Sequence, residues 1–331
     1  MSSKPEVLIS CHTFEEVLEH ARAHFTVIDS QNTPAHTPAE LRARAAGMQG
    51  ILLTGTDRVD QALLNACASI RAVAISAVGY NTIDVDACTA RGVLATNTPG
   101  ILDDTTADLG FALILAAARR LGEAERYVRA GRWTHWQNDL LLGRDVHHAA
   151  LGIVGMGRIG QALARRARGF DMKVCYHNRS RVPAAEEAAL DAQWLPLDEL
   201  LANADIVCLC LPYSSAVHHL IGAREIALMK PTALLVNIAR GGIVDDAALA
   251  DALAEHRIAG AGLDVFEGEP ALNPRLLGLD NVVMVPHIGS ATRATRVKMG
   301  LCAVNNLRAA LSGETPPNLI NPQALAVRRA Q

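Results

Sequence analysis

Three stretches hold residues whose types could do chemistry together. Arg240 follows the apolar run at 233–239 and precedes Gly241 and Gly242. Glu269 follows GLDVFEG, and His287 closes NVVMVPH before Ile288, Gly289 and Ser290. A histidine titrates near neutrality and can release a proton; a carboxylate beside it orients the ring and favours its charged form. A guanidinium forks to a carboxylate. The set suits hydride addition to a 2-keto acid, in which negative charge grows on the carbonyl oxygen. His287 then supplies the proton, Glu269 orients and charges His287, and Arg240 anchors the substrate carboxylate and fixes the carbonyl face. Taken singly, they read as a surface arginine, a solvated acidic turn and a strand-end histidine.

What joins them is an earlier element. Residues 151–166 read LGIVGMGRIGQALARR: a buried strand, then G-x-G-x-x-G at Gly155, Gly157 and Gly160, with Arg158 and Ile159 opening a helix. Between a strand and a helix this spacing is a dinucleotide-binding turn. Gly155 permits the tight turn, Gly157 lets a pyrophosphate approach the backbone, and Gly160 lets the helix lie close to the strand. The anion then rests on free N–H groups at the helix N-terminus. The next strand, 173–177, ends in His177, Asn178, Arg179, Ser180 and Arg181. An NAD-preferring site normally places an acidic residue about here to hold the ribose 2′-hydroxyl. Two guanidiniums and no carboxylate argue instead for a 2′-phosphate, hence NADP(H) before NAD(H); the competing reading is a solvated basic turn.

The elements that must position these residues are legible as strands alternating with helices. Apolar runs lie at 7–9, 25–29, 50–54, 72–76 and 93–97, and six more strands are expected after residue 149, at 151–154, 173–177, 205–211, 233–239, 260–266 and 281–287. Such alternation makes parallel sheets, whose ligands collect beyond the carboxyl ends of strands. Those ends include residues 53–56 and 77–82; in the second, Val78 and Gly79 either present bare N–H groups to a substrate carboxylate or form a plain turn. One long helix is expected from Asp104 toward Arg129, capped by Asp103 or Asp104. A polar loop with Trp133 and Trp136 follows; the two rings either pack locally or anchor a subunit interface. The last helix is expected over 292–311.

With 331 residues, two domains are the default. The net charge of −3 is mixed along the chain, which excludes a nucleic-acid footprint or a polybasic membrane tether. Residues 1–10 lack a signal-peptide core, and 109–118 is too short to span a bilayer. Seven cysteines without C-x-x-C fit a reduced cytoplasmic protein; Cys208 and Cys210 read as small buried hydrophobes on one strand face, and no metal is expected.

The stretches VHHAALGIVGMGRIGQALARR, VNIARGGIVDDAAL, AGAGLDVFEGEP and VPHIGSAT, in this order, resemble the D-2-hydroxyacid dehydrogenases, in particular their glyoxylate/hydroxypyruvate and 2-ketogluconate reductase branch. The resemblance runs from about residue 50 to the end. It implies catalytic roles for Arg240, Glu269 and His287, the same residues the chemistry selects. It implies substrate contacts at Leu53, Val78 and Gly79, and cofactor contacts at Thr106, Leu211, Pro212, Ile238, Ala239, Asp264 and Gly289. It further implies a flavodoxin-like substrate-binding domain, 1–103 completed by 292–331, and a Rossmann domain, 104–291, with a cleft between them that closes on substrate. Homodimers joined through the nucleotide domains are implied too, with the segment around Trp136 near the partner's active site. His177, where an aspartate is common in NAD-type members, agrees with the NADP reading. The rivals are a dinucleotide-sensing corepressor-type protein and a same-fold dehydrogenase for another small anion such as phosphite, with formate less favoured because its oxidation needs no proton from His287.

Overall fold

The computed structural model describes residues 4–31 and 36–330; residues 1–3, the start of the segment read for a signal peptide, lie outside them. The chain forms two compact units, residues 1–102 with 291–331, and residues 103–290.

The first unit is built on β1 (Glu6–Ile9), β2 (Thr26–Asp29), β3 (Gly50–Leu53), β4 (Ala72–Ile75) and β5 (Leu94–Thr96). All pairs are parallel and the order is β2-β1-β3-β4-β5, the flavodoxin-like arrangement. Because helices cover both faces, the strands are apolar without interruption. Leu8, Ile51, Val73 and Ile75 join one core layer, while Val7, Ile9, Leu52 and Ala74 join the other. The chain's return supplies part of that second layer: Ala303, Val304 and Leu307 of the helix Arg293–Ser312, capped by Thr292. Asn321 then closes the edge at β5. Its Oδ1 accepts the Ala95 N–H at 2.9 Å and its Nδ2 donates to the Val93 carbonyl at 2.9 Å, so the unit is discontinuous in sequence yet continuous in hydrogen bonding.

The second unit contains β6 (Ala150–Val154), β7 (Lys173–His177), β8 (Ala192–Trp194), β9 (Ile206–Leu209), β10 (Leu234–Asn237), β11 (Gly260–Leu263) and β12 (Val282–Met284). Their order is β12-β11-β10-β9-β6-β7-β8, all parallel, a Rossmann sheet whose topology reverses between β6 and β9. Seven strands replace the six expected. The extra one, β8, is a three-residue edge strand, AQW, with no apolar run to betray it.

The single long helix expected from Asp104 is two helices, Asp103–Ala118 and Leu121–Arg129. Arg120 turns left-handed between them at φ 53°, and the Arg144 N–H takes the Ala118 carbonyl at 2.8 Å, ending the first helix from outside. Asp103 and Asp104 lie inside its first turn rather than capping it, where their charges still suit the positive dipole end. Trp133 and Trp136 do not pack locally: they stand 56% and 73% exposed. Among the described residues no helix is long and apolar enough to cross a membrane.

Candidate active site

The glycine turn leaves β6 at the topological switch. Gly155 has φ 104°, and a methyl group there would lie 2.6 Å from the Leu211 nitrogen. One on Gly160 would lie 2.3 Å from the Gly155 carbonyl oxygen, so both positions are closed by the protein's own backbone. A methyl on Gly157 would meet nothing within 4 Å. The open side of the turn is thus at the start of the helix Arg158–Ala167, whose N-cap is Gly157 and has no side chain to occupy the first N–H groups. These features fit a dinucleotide pyrophosphate. Arg158 and Ile159 begin that helix, and Leu211 and Pro212 follow β9 on the other side of Gly155.

At the end of β7, Asn178 Oδ1 accepts the Met156 N–H at 2.8 Å, fastening this loop to the glycine turn. The edge strand β8 holds it from the other side: the Leu195 carbonyl lies 3.0 Å from His177 Nδ1, and Trp194 Nε1 donates to the Asn178 carbonyl at 3.1 Å. Arg179 and Ser180 are exposed, and among the described residues the Arg179 guanidinium makes no hydrogen bond or ion pair. Arg181 is engaged: it donates to both carboxylate oxygens of Glu187 at 3.0 Å and 2.6 Å, and Tyr176 donates its hydroxyl to the same carboxylate. A carboxylate therefore does stand by this loop, brought back by the helix Ala184–Leu190. The Arg181 hydrogen bond, then that of Tyr176, holds Glu187 below the usual carboxylate range.

The strands β10, β11 and β12 deliver the other residues. Asn237 is buried at the end of β10; its Oδ1 accepts the Ala239 N–H at 3.0 Å and its Nδ2 donates to the Arg240 carbonyl at 3.1 Å, shaping the turn through Ile238 and Ala239. Arg240 Nη1 donates to the Ala239 carbonyl at 2.7 Å. Burial lowers the Arg240 pKa, opposed by the negative charges of Glu269 and Asp264. It remains a cation, since a guanidinium does not deprotonate in proteins.

Just past β11, Asp264 is 1% exposed. Its carboxylate accepts the N–H groups of Ile288 at 2.6 Å and Gly289 at 2.9 Å, and its carbonyl accepts that of His287 at 2.9 Å. Burial raises its pKa against the pull of those amides. Gly289 sits where a methyl would be 3.0 Å from Asp264 Oδ2 and 3.3 Å from Thr106 Cγ2, so Thr106, Asp264 and Gly289 converge.

His287 is exposed, with φ 51°, and its Nδ1 lies 2.6 Å from Glu269 Oε1. The other Glu269 oxygen accepts the Phe266 N–H at 3.1 Å. Burial pushes the Glu269 pKa up, but the His287 hydrogen bond and charge, the Phe266 amide and Arg240 outweigh it, and the net direction is down. An ionised carboxylate only accepts, so Nδ1 carries the proton of this bond. Nε2 makes no hydrogen bond among the described residues. The pair is thus arranged as an oriented imidazole with one nitrogen turned outward, near a guanidinium that feels the same carboxylate.

The residues expected for substrate in the first unit lie at the ends of β3 and β4. Leu53 is wholly buried in the apolar core and its carbonyl accepts the Ser76 N–H at 2.8 Å; Thr54, one residue past the strand, is the first to be partly exposed. Val78 and Gly79 are half-buried beyond β4, with the Val78 carbonyl accepting Asn97 Nδ2 at 2.8 Å. Asn237 and Glu187 escaped the sequence reading. A lone amide at the end of the run ALLVN signals the first; nothing local signals the second.

A Rossmann sheet with an open glycine cradle, a histidine–carboxylate pair and an arginine at neighbouring strand ends defines a dinucleotide-dependent oxidoreductase. Residues 111–289 match the family described as D-isomer specific 2-hydroxyacid dehydrogenase, NAD binding domain, and the chain belongs to that family. It is 44% identical over 330 residues to a glyoxylate reductase of Thermococcus onnurineus, covering 98% of each chain. It is 46% identical over 322 residues to a glyoxylate/hydroxypyruvate reductase B of Escherichia fergusonii, covering 97% of this chain and 99% of the relative. Among solved structures, an NADPH-dependent glyoxylate/hydroxypyruvate reductase of Sinorhizobium meliloti, in complex with NADP and malonate, superposes with a TM-score of 0.87 at 32% identity, covering 97% of this chain and 98% of that one.

Proposed function

We propose that this protein reduces small 2-keto acids, glyoxylate and hydroxypyruvate foremost and 2-ketogluconate as a longer candidate, to D-2-hydroxy acids with NADPH. The observation that carries the reading is the 2.6 Å contact between His287 Nδ1 and Glu269, which leaves Nε2 as the only ring nitrogen able to serve a substrate. The nicotinamide, when bound, supplies the hydride. His287 holds a proton at Nε2 and delivers it to the carbonyl oxygen as charge develops there. Glu269 keeps the ring oriented and balances the imidazolium before transfer, a positioning role like that of the carboxylate in a catalytic triad. Arg240 forks to the substrate carboxylate, and the Asn237 hydrogen bonds keep its turn in place.

Residues 155–160 would hold the pyrophosphate, with Thr106, Leu211, Pro212, Ile238, Ala239, Asp264 and Gly289 along the rest of the cofactor. NADPH is favoured over NADH because Arg179 stands unpaired at the end of β7, with Ser180 beside it, and the names of similar reductases support both substrate and cofactor. Seven free thiols, with no disulfide, support a reducing compartment, the cytoplasm. The working form is taken as a homodimer joined through residues 103–290. The test is turnover of glyoxylate, hydroxypyruvate, pyruvate and 2-ketogluconate, each with NADPH and NADH. Oxidation of NADPH by the first two supports the reading; no turnover with any of the four sinks it.

A further inference from the structure

The loop after β9 carries two adjacent histidines whose arrangement the reductase reading does not use. We propose that His218, His219 and Glu267 form a binding site for one borderline divalent transition-metal ion of the zinc class. Neighbouring residues in extended chain point to opposite sides. Here His219 has φ 52°, a left-handed value few side chains adopt, and this swings the two imidazoles together: their rings stack at 3.9 Å, inclined by 23°. Both Nε2 atoms then face one carboxylate. His219 Nε2 lies 2.9 Å from Glu267 Oε2, and His218 Nε2 lies 3.9 Å from Glu267 Oε1.

The donor spacing suits an ion. One ligand atom from each residue lies within 4.8 Å of the other two. A tetrahedral zinc ion with ligands about 2.0–2.2 Å away sets its donors roughly 3.3–3.5 Å apart. That lies between the separations here, and the part-exposed side chains reach it by small rotations. Imidazole with carboxylate is a donor set for zinc and its neighbours rather than for calcium or magnesium.

The outer partners agree. Histidines that bind a metal through Nε2 carry their proton on Nδ1 and donate it to an oxygen that fixes the ring. His218 Nδ1 lies 3.2 Å from the Tyr213 hydroxyl; His219 Nδ1 lies 4.0 Å from Asp245 Oδ2, too far for a hydrogen bond, so ion binding must bring this ring closer by a small rotation. The other Asp245 oxygen is committed to the N-cap of the helix Asp246–Ala254, accepting two N–H groups at 3.0 Å, which holds the carboxylate still. Backbone bonds secure the ligands: the His219 N–H donates to the Gly242 carbonyl at 2.8 Å, and the Glu267 N–H to Asp246 Oδ2 at 3.0 Å. Such an ion would tie the loop after β9 to the segment just before Glu269.

The experiment uses the full-length, untagged protein stripped by a chelator and titrated with Zn²⁺ alone by calorimetry, with no substrate or cofactor. Its outcome is independent of the reductase reading. The wild type should take up one equivalent, and H218A and E267Q should each weaken that binding by about 10- to 100-fold or more. E269Q should bind as the wild type does, which excludes the His287–Glu269 pair as the holder. Circular dichroism confirms that each variant is folded. Absence of stoichiometric Zn²⁺ uptake by the wild type overturns the proposal. So does uptake unchanged in both H218A and E267Q, or lost in E269Q.

Discussion

His287 stands in a left-handed backbone conformation, φ 51°, that costs free energy unless the surroundings impose it. Asp264 imposes it by holding His287, Ile288 and Gly289 through three consecutive N–H groups, so the ring reaches Glu269 from a fixed backbone. His287→Ala should lower kcat by about 10²- to 10⁴-fold while the affinity for NADPH, read by fluorescence titration, stays near the wild-type value. Lost affinity with normal turnover would contradict the role given to Nε2. The residues proposed for this chemistry stand out in the sequence because proton donation and carboxylate binding demand few residue types, and Arg240, Glu269 and His287 each follow an apolar run; the structure brings Glu269 and His287 into contact. Glu187 does not stand out, since its tie to Arg181 depends on a turn and a helix that bring position 187 back to 181. Glu187→Gln should free Arg181 to face a 2′-phosphate, lowering KM for NADPH but not for NADH; equal changes would show that the pair only shapes the loop. The pH dependence has a definite sign. A carboxyl depressed in the folded state stabilises the fold above its ordinary pKa of 4.5, and that contribution is lost as pH falls through the depressed value. Urea midpoints of the wild type and Glu187→Gln should therefore differ at neutral pH and converge in acid.

At the scale of elements, the site depends on turns that approach one another too closely for side chains. A methyl on Gly241 would lie 1.7 Å from the Phe266 carbonyl oxygen, so the turn carrying Arg240 rests directly on the segment leading to Glu269. Gly241→Ala must push one of them aside. A displacement on the order of an ångström at a catalytic group costs about 10²-fold in rate. The variant should keep its circular dichroism and nucleotide binding but lose kcat to about that extent; unaltered kcat would show that the two turns move independently. The close packing at Gly155 and Gly160 was legible from spacing alone, because a tight strand–turn–helix requires it. Two other elements were not. β8 has three residues, none of them buried, too few for a periodic signal, yet with Leu195 just past it the strand supports His177 and Asn178. The break at Arg120 is marked in sequence only by Gly122, which stands inside the second helix; it is set by Arg144, distant in sequence, whose N–H takes the Ala118 carbonyl.

For the whole molecule, the strand–helix alternation made two parallel sheets legible, while closure of the first unit by Asn321 rests on contacts between residues more than two hundred positions apart, which no local pattern records. The surface of residues 103–290 raises the remaining question. Of eight large hydrophobic side chains that stand exposed among the described residues, five fall between positions 121 and 142: Leu121, Val128, Trp133, Trp136 and Leu142. Isolated exposed hydrophobics are ordinary, but aromatic residues gathered in one exposed segment have the composition of an interface core. Trp136, 73% exposed in the single chain, gains most from being covered. If a second copy covers this segment, light scattering at micromolar concentration should give the mass of two chains. Replacing Trp133 and Trp136 together by serine should then shift the population toward a single chain, with the circular dichroism retained, since neither ring packs in the core of its own unit. A wild type that scatters as one chain would refute the homodimer, and a variant that still scatters as two would move the interface elsewhere.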